Sequence, residues 1–166
     1  MALLLAVLAL ALDQLSKWWI IAVVMQPPRR LEVAPFFDLV LARNRGVSFS
    51  MLRLDTSWGP LLLSLFALGV VVGLLVWQWR ARSVLVSAAV GLIAGGALGN
   101  VADRIHSAAV TDFLDFHLGA YHWPAFNLAD SAITVGVALL LGEALFGRRE
   151  KIKSGGGATR QRPPAA

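Results

Sequence analysis

The sequence predicts an all-α membrane protein: a bundle of four transmembrane helices carrying a small extracytoplasmic β-sheet. Three observations predict it. Hydrophobic residues make up 57% of the chain and charged residues only 15%, whereas a soluble domain carries about a quarter charged residues, because a small globule must wet most of its surface. The apolar residues fall into four blocks, each close to the roughly 20 residues that a helix needs to cross a bilayer. Between the first two blocks, Val47, Phe49 and Met51 alternate with Ser48 and Ser50, the period of a half-buried strand.

The first span covers about residues 2–25 and is interrupted by Asp13, Gln14 and Lys17. A signal peptide is the competing reading of Ala2–Leu12, but the stretch lacks a basic leader and Trp18–Met25 resumes the apolar pattern. The second span, residues 60–79, has Ser64 and Gln78 as its only polar side chains. Pro60 suits a first helical position, and Trp58, Trp77 and Trp79 sit where interfacial tryptophans collect. In the third span, residues 83–102, Gly91, Gly95 and Gly99 recur every four positions. They form one smooth face that lets a neighbouring backbone approach closely. The fourth span runs over residues 124–146, with Trp123 at its boundary.

An even number of spans puts both termini on one side. That side holds eight Lys and Arg residues against six in the opposite loops, 26–59 and 103–123, and the Arg148, Arg149, Lys151, Lys153 cluster concentrates them. Both termini are therefore expected in the cytoplasm. Residues 1–153 read as a single domain, and the Gly- and Pro-rich stretch 154–166 reads as a disordered cytoplasmic tail. In the first outer loop, Asn44-Arg45-Gly46 reads as a turn, with Phe37–Ala42 as a partner for the Val47–Met51 strand.

The absence of cysteine excludes disulfides, thiol nucleophiles and cysteine-ligated metals. The net charge of +5 does not point to nucleic acid, because six of the fifteen basic residues lie after Gly147 at the C-terminal end. The informative residues are the polar ones inside spans, since each charge near a helix centre costs roughly 2.5–3.5 kcal/mol on the insertion scale. Asp13 and Lys17 have the spacing of a helical ion pair. They serve either as a structural clasp or as a brace behind a site. Asn127, Asp130 and Thr134 share one helix face that should turn into the bundle. Counted from Pro124, Asp130 lies about 9 Å into the helix. Asn100, Asp103 and Arg104 close the third span at the same level, with an Asp103–Arg104 surface pair as the plain alternative.

Between those helices, Val110-Thr111-Asp112-Phe113-Leu114-Asp115-Phe116 brings two more carboxylates to the outer side. Helix capping accounts for any one of them, but not for Asp112 and Asp130 converging at one depth. Two carboxyls in a poorly hydrated site share one proton, which equips them to activate water and protonate a carbonyl together. His117 and His122, with Asp112 or Asp115, are a candidate metal set, but the HExxH arrangement is absent, and no metal or cofactor is expected. There is no Gly-x-Ser-x-Gly elbow and no phosphate-cradling loop.

Five segments, in order over about residues 10–135, resemble the lipoprotein signal peptidase (signal peptidase II) family. They are Asp13-Gln14-Leu15-Ser16-Lys17, Asn44-Arg45-Gly46-Val47-Ser48-Phe49, Gly95 through Arg104, Val110-Thr111-Asp112-Phe113, and Phe126 through Ala132. No motif position departs from the pattern, and only the tail falls outside it. The resemblance implies a membrane aspartyl endopeptidase of the bacterial inner membrane. Such an enzyme cuts prolipoproteins just before the diacylglyceryl-modified cysteine, near the outer face. It implies that Asp112 and Asp130 are the catalytic dyad, and that Asn44, Gly46, Asn100, Arg104, Asn127 and Ala129 bind substrate or support the dyad. Asp13, Lys17, Asp103 and Asp115 are implied as structural support, and a small extracytoplasmic sheet as a substrate cradle. Lipidated prolipoproteins and membrane lipids are the expected partners, and a monomer the expected state. An ion-coupled transporter would instead spread polar residues across the membrane depth, a bare scaffold would leave the two aspartates unused, and a presenilin-type protease would need Gly-x-Gly-Asp, which is absent.

Overall fold

In the computed structural model, which describes residues 1–46, 58–79 and 83–155, four helices are long and apolar enough to cross a membrane. The first, α1 (Ala2–Trp19), continues as a π-helical turn over Ile20–Val24. Two strands follow, β1 (Leu31–Ala34) and β2 (Phe37–Asn44), before α2 (Gly59–Gln78). Next come α3 (Val84–Ser107), β3 (Val110–Leu118), the short β4 (Tyr121–His122) and α4 (Leu128–Gly155).

Small residues decide which helix is central. In α3, 61% of the spanning window is buried, against 17% in each of the other three. The predicted glycine face is where α1 lies: a methyl at Gly91 would meet Ala2 and Leu5, one at Gly95 would meet Ala6 and Ala9, and one at Gly99 the Asp13 carboxylate. One position round the helix, Gly96 abuts the Ala129 carbonyl of α4. Val71 of α2 packs against Ala94 and Ala97 from a third direction. Large side chains pointing away from these contacts, such as Leu3, Leu12, Leu62 and Phe66, are exposed. A bilayer would cover them, since lipid tails are as apolar as they are.

All four strands form one antiparallel order, β1-β2-β3-β4, at the end of the bundle where α1 and α3 finish and α4 begins. The π-helical turn feeds this sheet: Ile20 and Met25 are buried with Phe113 of β3. β2 pairs with β1 on one side and, on the other, with β3 from the connection between α3 and α4. The anticipated Val47–Met51 strand lies outside the described residues.

Two helices have boundaries that differ from the sequence reading. First, α3 continues five residues past 102 to Ser107, so Asp103 and Arg104 are helical rather than in a loop. Its end is set by Ala108 in the left-handed conformation, whose N–H caps the Arg104 carbonyl. Second, α4 starts at Leu128 instead of Pro124, because the Phe126 backbone is engaged with Phe113 and Leu114 of β3. It also runs to Gly155, beyond the anticipated end at 146 and two residues into the anticipated tail. The rest of that stretch, 156–166, lies outside the described residues.

Candidate active site

The first turn of α4 is organised by an Asn-x-x-Asp capping box. Asn127 Oδ1 accepts the Asp130 N–H at 3.0 Å, and Asp130 Oδ2 accepts the Asn127 N–H at 3.3 Å. Two otherwise orphaned backbone donors are thereby satisfied, and Asp130 is fixed in the first helical turn, shallower than a start at Pro124 would put it. Thr134 does not join this buried face: it is exposed, and its hydroxyl donates to the Asp130 carbonyl at 2.8 Å.

Asp112 arrives from the opposite direction, on β3. Its Oδ1 accepts Asn127 Nδ2 at 2.6 Å and its Oδ2 accepts Asn44 Nδ2 at 3.0 Å. Asn100 of α3 donates its Nδ2 to Asp130 Oδ1 at 3.0 Å and accepts Asn127 Nδ2 at 3.3 Å. Two amides thus link the two carboxylates, and all four side chains are buried: Asp112 is 2% exposed, Asp130 8%, Asn100 5% and Asn127 not at all. Burial, with the Asp130 charge adding to it, pushes the Asp112 carboxyl up to about 6, against the lowering effect of the Asn44 and Asn127 hydrogen bonds. A carboxyl in that range can hold or release a proton near neutrality.

Behind this pair lies a second buried layer. Lys17 Nζ is 2.8 Å from Asp13 Oδ2, 3.1 Å from Asp103 Oδ2 and 3.2 Å from Asn100 Oδ1. Asp13 Oδ1 accepts the Ala129 N–H at 2.9 Å, which anchors the start of α4 to α1. Asp103 Oδ2 accepts the Thr111 N–H at 2.9 Å, which anchors β3 next to Asp112. The clasp and the brace are therefore the same structure. Breaking one partner out of such a buried charge set typically costs about 3–5 kcal/mol. Gln14, to which the sequence assigns no role, joins Asp13, Asp103 and the Gly99 carbonyl through its Nε2. Its position inside the polar break of an apolar span is the signal that could have found it.

Asp103 and Arg104 part company instead of pairing. Arg104 sends Nη2 to the Gly46 carbonyl at 3.0 Å and Nη1 to the Asn100 carbonyl at 3.3 Å, while Gly46 N–H closes a turn onto Asn44 Oδ1 at 2.9 Å. Of the site and support residues that the resemblance implies, only Asp115 lies apart. Three positions from Asp112 on a strand, it projects from the other face and meets Arg30 and His122. His122 thus does meet Asp115, and His117 approaches Asp38, but among the described residues no group of three His, Asp or Glu side chains is arranged to hold a metal ion. Beside the site, an apolar cavity of about 270 Å³ lies between α2, α3 and α4. Leu63, Phe66, Ile93 and Ile133 are among its walls, and Asn100 and Arg104 also line it.

Comparison with known proteins gives this geometry a context. A family model described as signal peptidase (SPase) II matches residues 5–146. The lipoprotein signal peptidase of Beijerinckia indica subsp. indica is 46% identical over 140 residues, covering 84% of each chain. That of Methylocella silvestris is 44% identical over 147 residues, covering 88% of this chain and 86% of the relative. A solved structure described as a bacterial membrane enzyme has a TM-score of 0.72 at 28% identity, covering 98% of this chain and 94% of its own. A second, also described as a bacterial membrane enzyme, has a TM-score of 0.70 at 31% identity, covering 87% and 92%.

Proposed function

The chain belongs to the signal peptidase II family, and on that premise we propose that it is an aspartyl endopeptidase with Asp112 and Asp130 as its catalytic pair. It removes the signal peptide from bacterial prolipoproteins by cutting before the diacylglyceryl-modified cysteine. The observation that carries the mechanism is the amide bridge, in which Asn100 and Asn127 link a strand carboxylate to a helix carboxylate in a buried setting. One aspartate, ionised, takes a proton from the attacking water. Its protonated partner polarises the scissile carbonyl and then protonates the leaving amine. Amides suit the supporting role because they orient both carboxylates without competing for the shared proton. The groups this mechanism uses all belong to the one chain, and we read the enzyme as a monomer.

The placement supports a lipid-anchored substrate. The acyl chains of a prolipoprotein stay in the outer leaflet, so its scissile bond lies near the interface, at the level of the first turn of α4. The apolar cavity beside Asn100 and Arg104 suits a hydrocarbon or an apolar signal-peptide side chain. With both termini cytoplasmic, the sheet and the aspartates lie at the outer face of the bacterial cytoplasmic membrane. Among the described residues no buried polar side chain lies in the cytoplasmic half of a span, and Asp13, midway along Ala2–Val24, is the deepest. A transport path would instead need them along the whole depth.

The test is cleavage of a diacylglyceryl-modified prolipoprotein by wild type, Asp112→Asn and Asp130→Asn, beside the same substrate without lipid. Loss of turnover in both folded variants, with little cleavage of the unlipidated form, is expected. Near wild-type turnover in either variant would overturn the two-aspartate mechanism.

A further inference from the structure

Asp38 of β2 and Asp115 of β3 stand directly opposite each other in the ladder, and both are buried. Like charges facing each other across a sheet are destabilising, more so where water screens them little. One side chain makes this pairing tenable. Arg30, just before β1, sends Nε to Asp38 Oδ2 at 2.6 Å and Nη2 to Asp115 Oδ2 at 2.9 Å. The same Nη2 lies 3.0 Å from His122 Nδ1 on β4, and that ring nitrogen lies 3.0 Å from Asp115 Oδ2. His117 stacks on His122 with ring centroids 4.7 Å apart. A guanidinium from the start of β1 therefore reaches side chains on each of the other three strands. Burial by itself lifts the Asp38 carboxyl, but the Arg30 hydrogen bond and charge, with His117, bring it net below its ordinary value.

This bridge sits next to a register shift that matters for the site. Phe37, Asp38 and Leu39 face Phe116, Asp115 and Leu114 in step, and then β2 takes one residue more than β3. Beyond the shift Ala42 faces Asp112 and Asn44 faces Val110. Asn44 is thus a diagonal, same-face neighbour of Asp112, and its amide reaches the carboxylate. Without the extra residue, Asn44 would project from the opposite face.

We propose that Arg30 is a positioning residue for the peptidase reaction: by bridging Asp38 and Asp115 it pins the β2–β3 register and so holds Asn44 against Asp112. The inference rests on the reading of Asp112 as catalytic, and the experiment separates the two. Turnover of lipidated prolipoprotein is measured for wild type, Arg30→Ala, Asn44→Ala, the double variant, Arg30→Lys and Asp112→Asn, with thermal unfolding of each in detergent. Arg30→Ala is expected to lower kcat about tenfold with KM little changed, as loss of an interaction made in the transition state does. The double variant is expected to be no slower than Asn44→Ala alone, the behaviour of two groups acting through one contact. Arg30→Lys keeps the charge without the fork and recovers part of the rate. Losses that multiply in the double variant overturn the role of Arg30 while leaving the dyad intact. Retained turnover in Asp112→Asn overturns the dyad itself. If Arg30→Ala does not fold, Asp115→Asn, which releases one end of the bridge, takes its place in the cycle with the same two outcomes.

Discussion

Asp112 is held in a form that the fold tolerates rather than prefers. Its carboxyl is pushed up to about 6 from 3.8, chiefly by burial, so the folded chain binds this proton more tightly than the unfolded chain does. Below about pH 4 the group is protonated in both states, and above about pH 6 it is ionised in both. At neutral pH the ionised form costs the fold on the order of 3 kcal/mol, at about 1.4 kcal/mol per pH unit. Wild-type stability should therefore rise as pH falls from about 6 to about 4, with respect to Asp112→Asn, which lacks the titration. At neutral pH the variant should melt above wild type. Its margin falls short of the full figure, because an asparagine cannot accept from both Asn44 and Asn127, and one amide is left facing another donor. Thermal unfolding in detergent across that pH range checks this. A wild type that loses stability relative to the variant on acidification would contradict the assignment of the shift to Asp112. A more stable but inactive protein is what a functional carboxylate in a buried place predicts.

At the scale of elements, the spans and the close helix packing were readable from the chain, because lipid and small residues leave unambiguous patterns. The glycine face of α3 meets a neighbouring backbone as the spacing says, and that neighbour is α1. The position of Gly96, one residue round, gives a sharper test. A methyl there would press on the Ala129 carbonyl in the first turn of α4, next to Asp130. Gly96→Ala should cost about 1–3 kcal/mol, as overpacking does, and should lower turnover through displacement of that turn. Gly73→Ala in α2 meets nothing within 4 Å, so it should leave turnover unchanged and should not lower stability, alanine being the better helix former. Equal behaviour of the two variants, in melting and cleavage assays, would refute the close approach of α3 to α4.

Harder to read was β3. Each of its faces mixes apolar residues with one carboxylate, Asp112 among Val110, Leu114 and Phe116 on one side and Asp115 beside Phe113 on the other. The alternation that marks a strand is broken at the positions the site needs. The start of α4 was misplaced for a related reason: Trp123-Pro124 has the look of an interfacial helix start, while the backbone at Phe126 pairs with β3. The Asn127-x-x-Asp130 spacing does mark the true start.

For the whole molecule, the chain shows which residues share a level but not what connects them. Motif order brought Asp112, Asp130 and the asparagines to notice. The two buried layers, with Lys17 joining Asp13, Asp103 and Asn100, emerge only when α1, α3 and α4 are packed. Orientation in the membrane can be tested directly because the chain contains no cysteine. Glu32→Cys on the exposed sheet edge and Trp79→Cys at the exposed end of α2 lie at opposite ends of the bundle. In intact cells with a permeable outer layer, a membrane-impermeant maleimide should label the first and spare the second. The reverse pattern would place the aspartates on the cytoplasmic side.

The first turn of α4 carries Asp130 and is tied to Asp13 near the beginning of the chain through the Ala129 N–H. Because synthesis proceeds from the N-terminus, this turn is the last part of the site to be made, after α1, α2, α3 and the sheet. On the proposed assignment of Asp130, a nascent molecule lacks its second acid until its last span is made, and is expected to be inert toward neighbouring lipoprotein precursors until then.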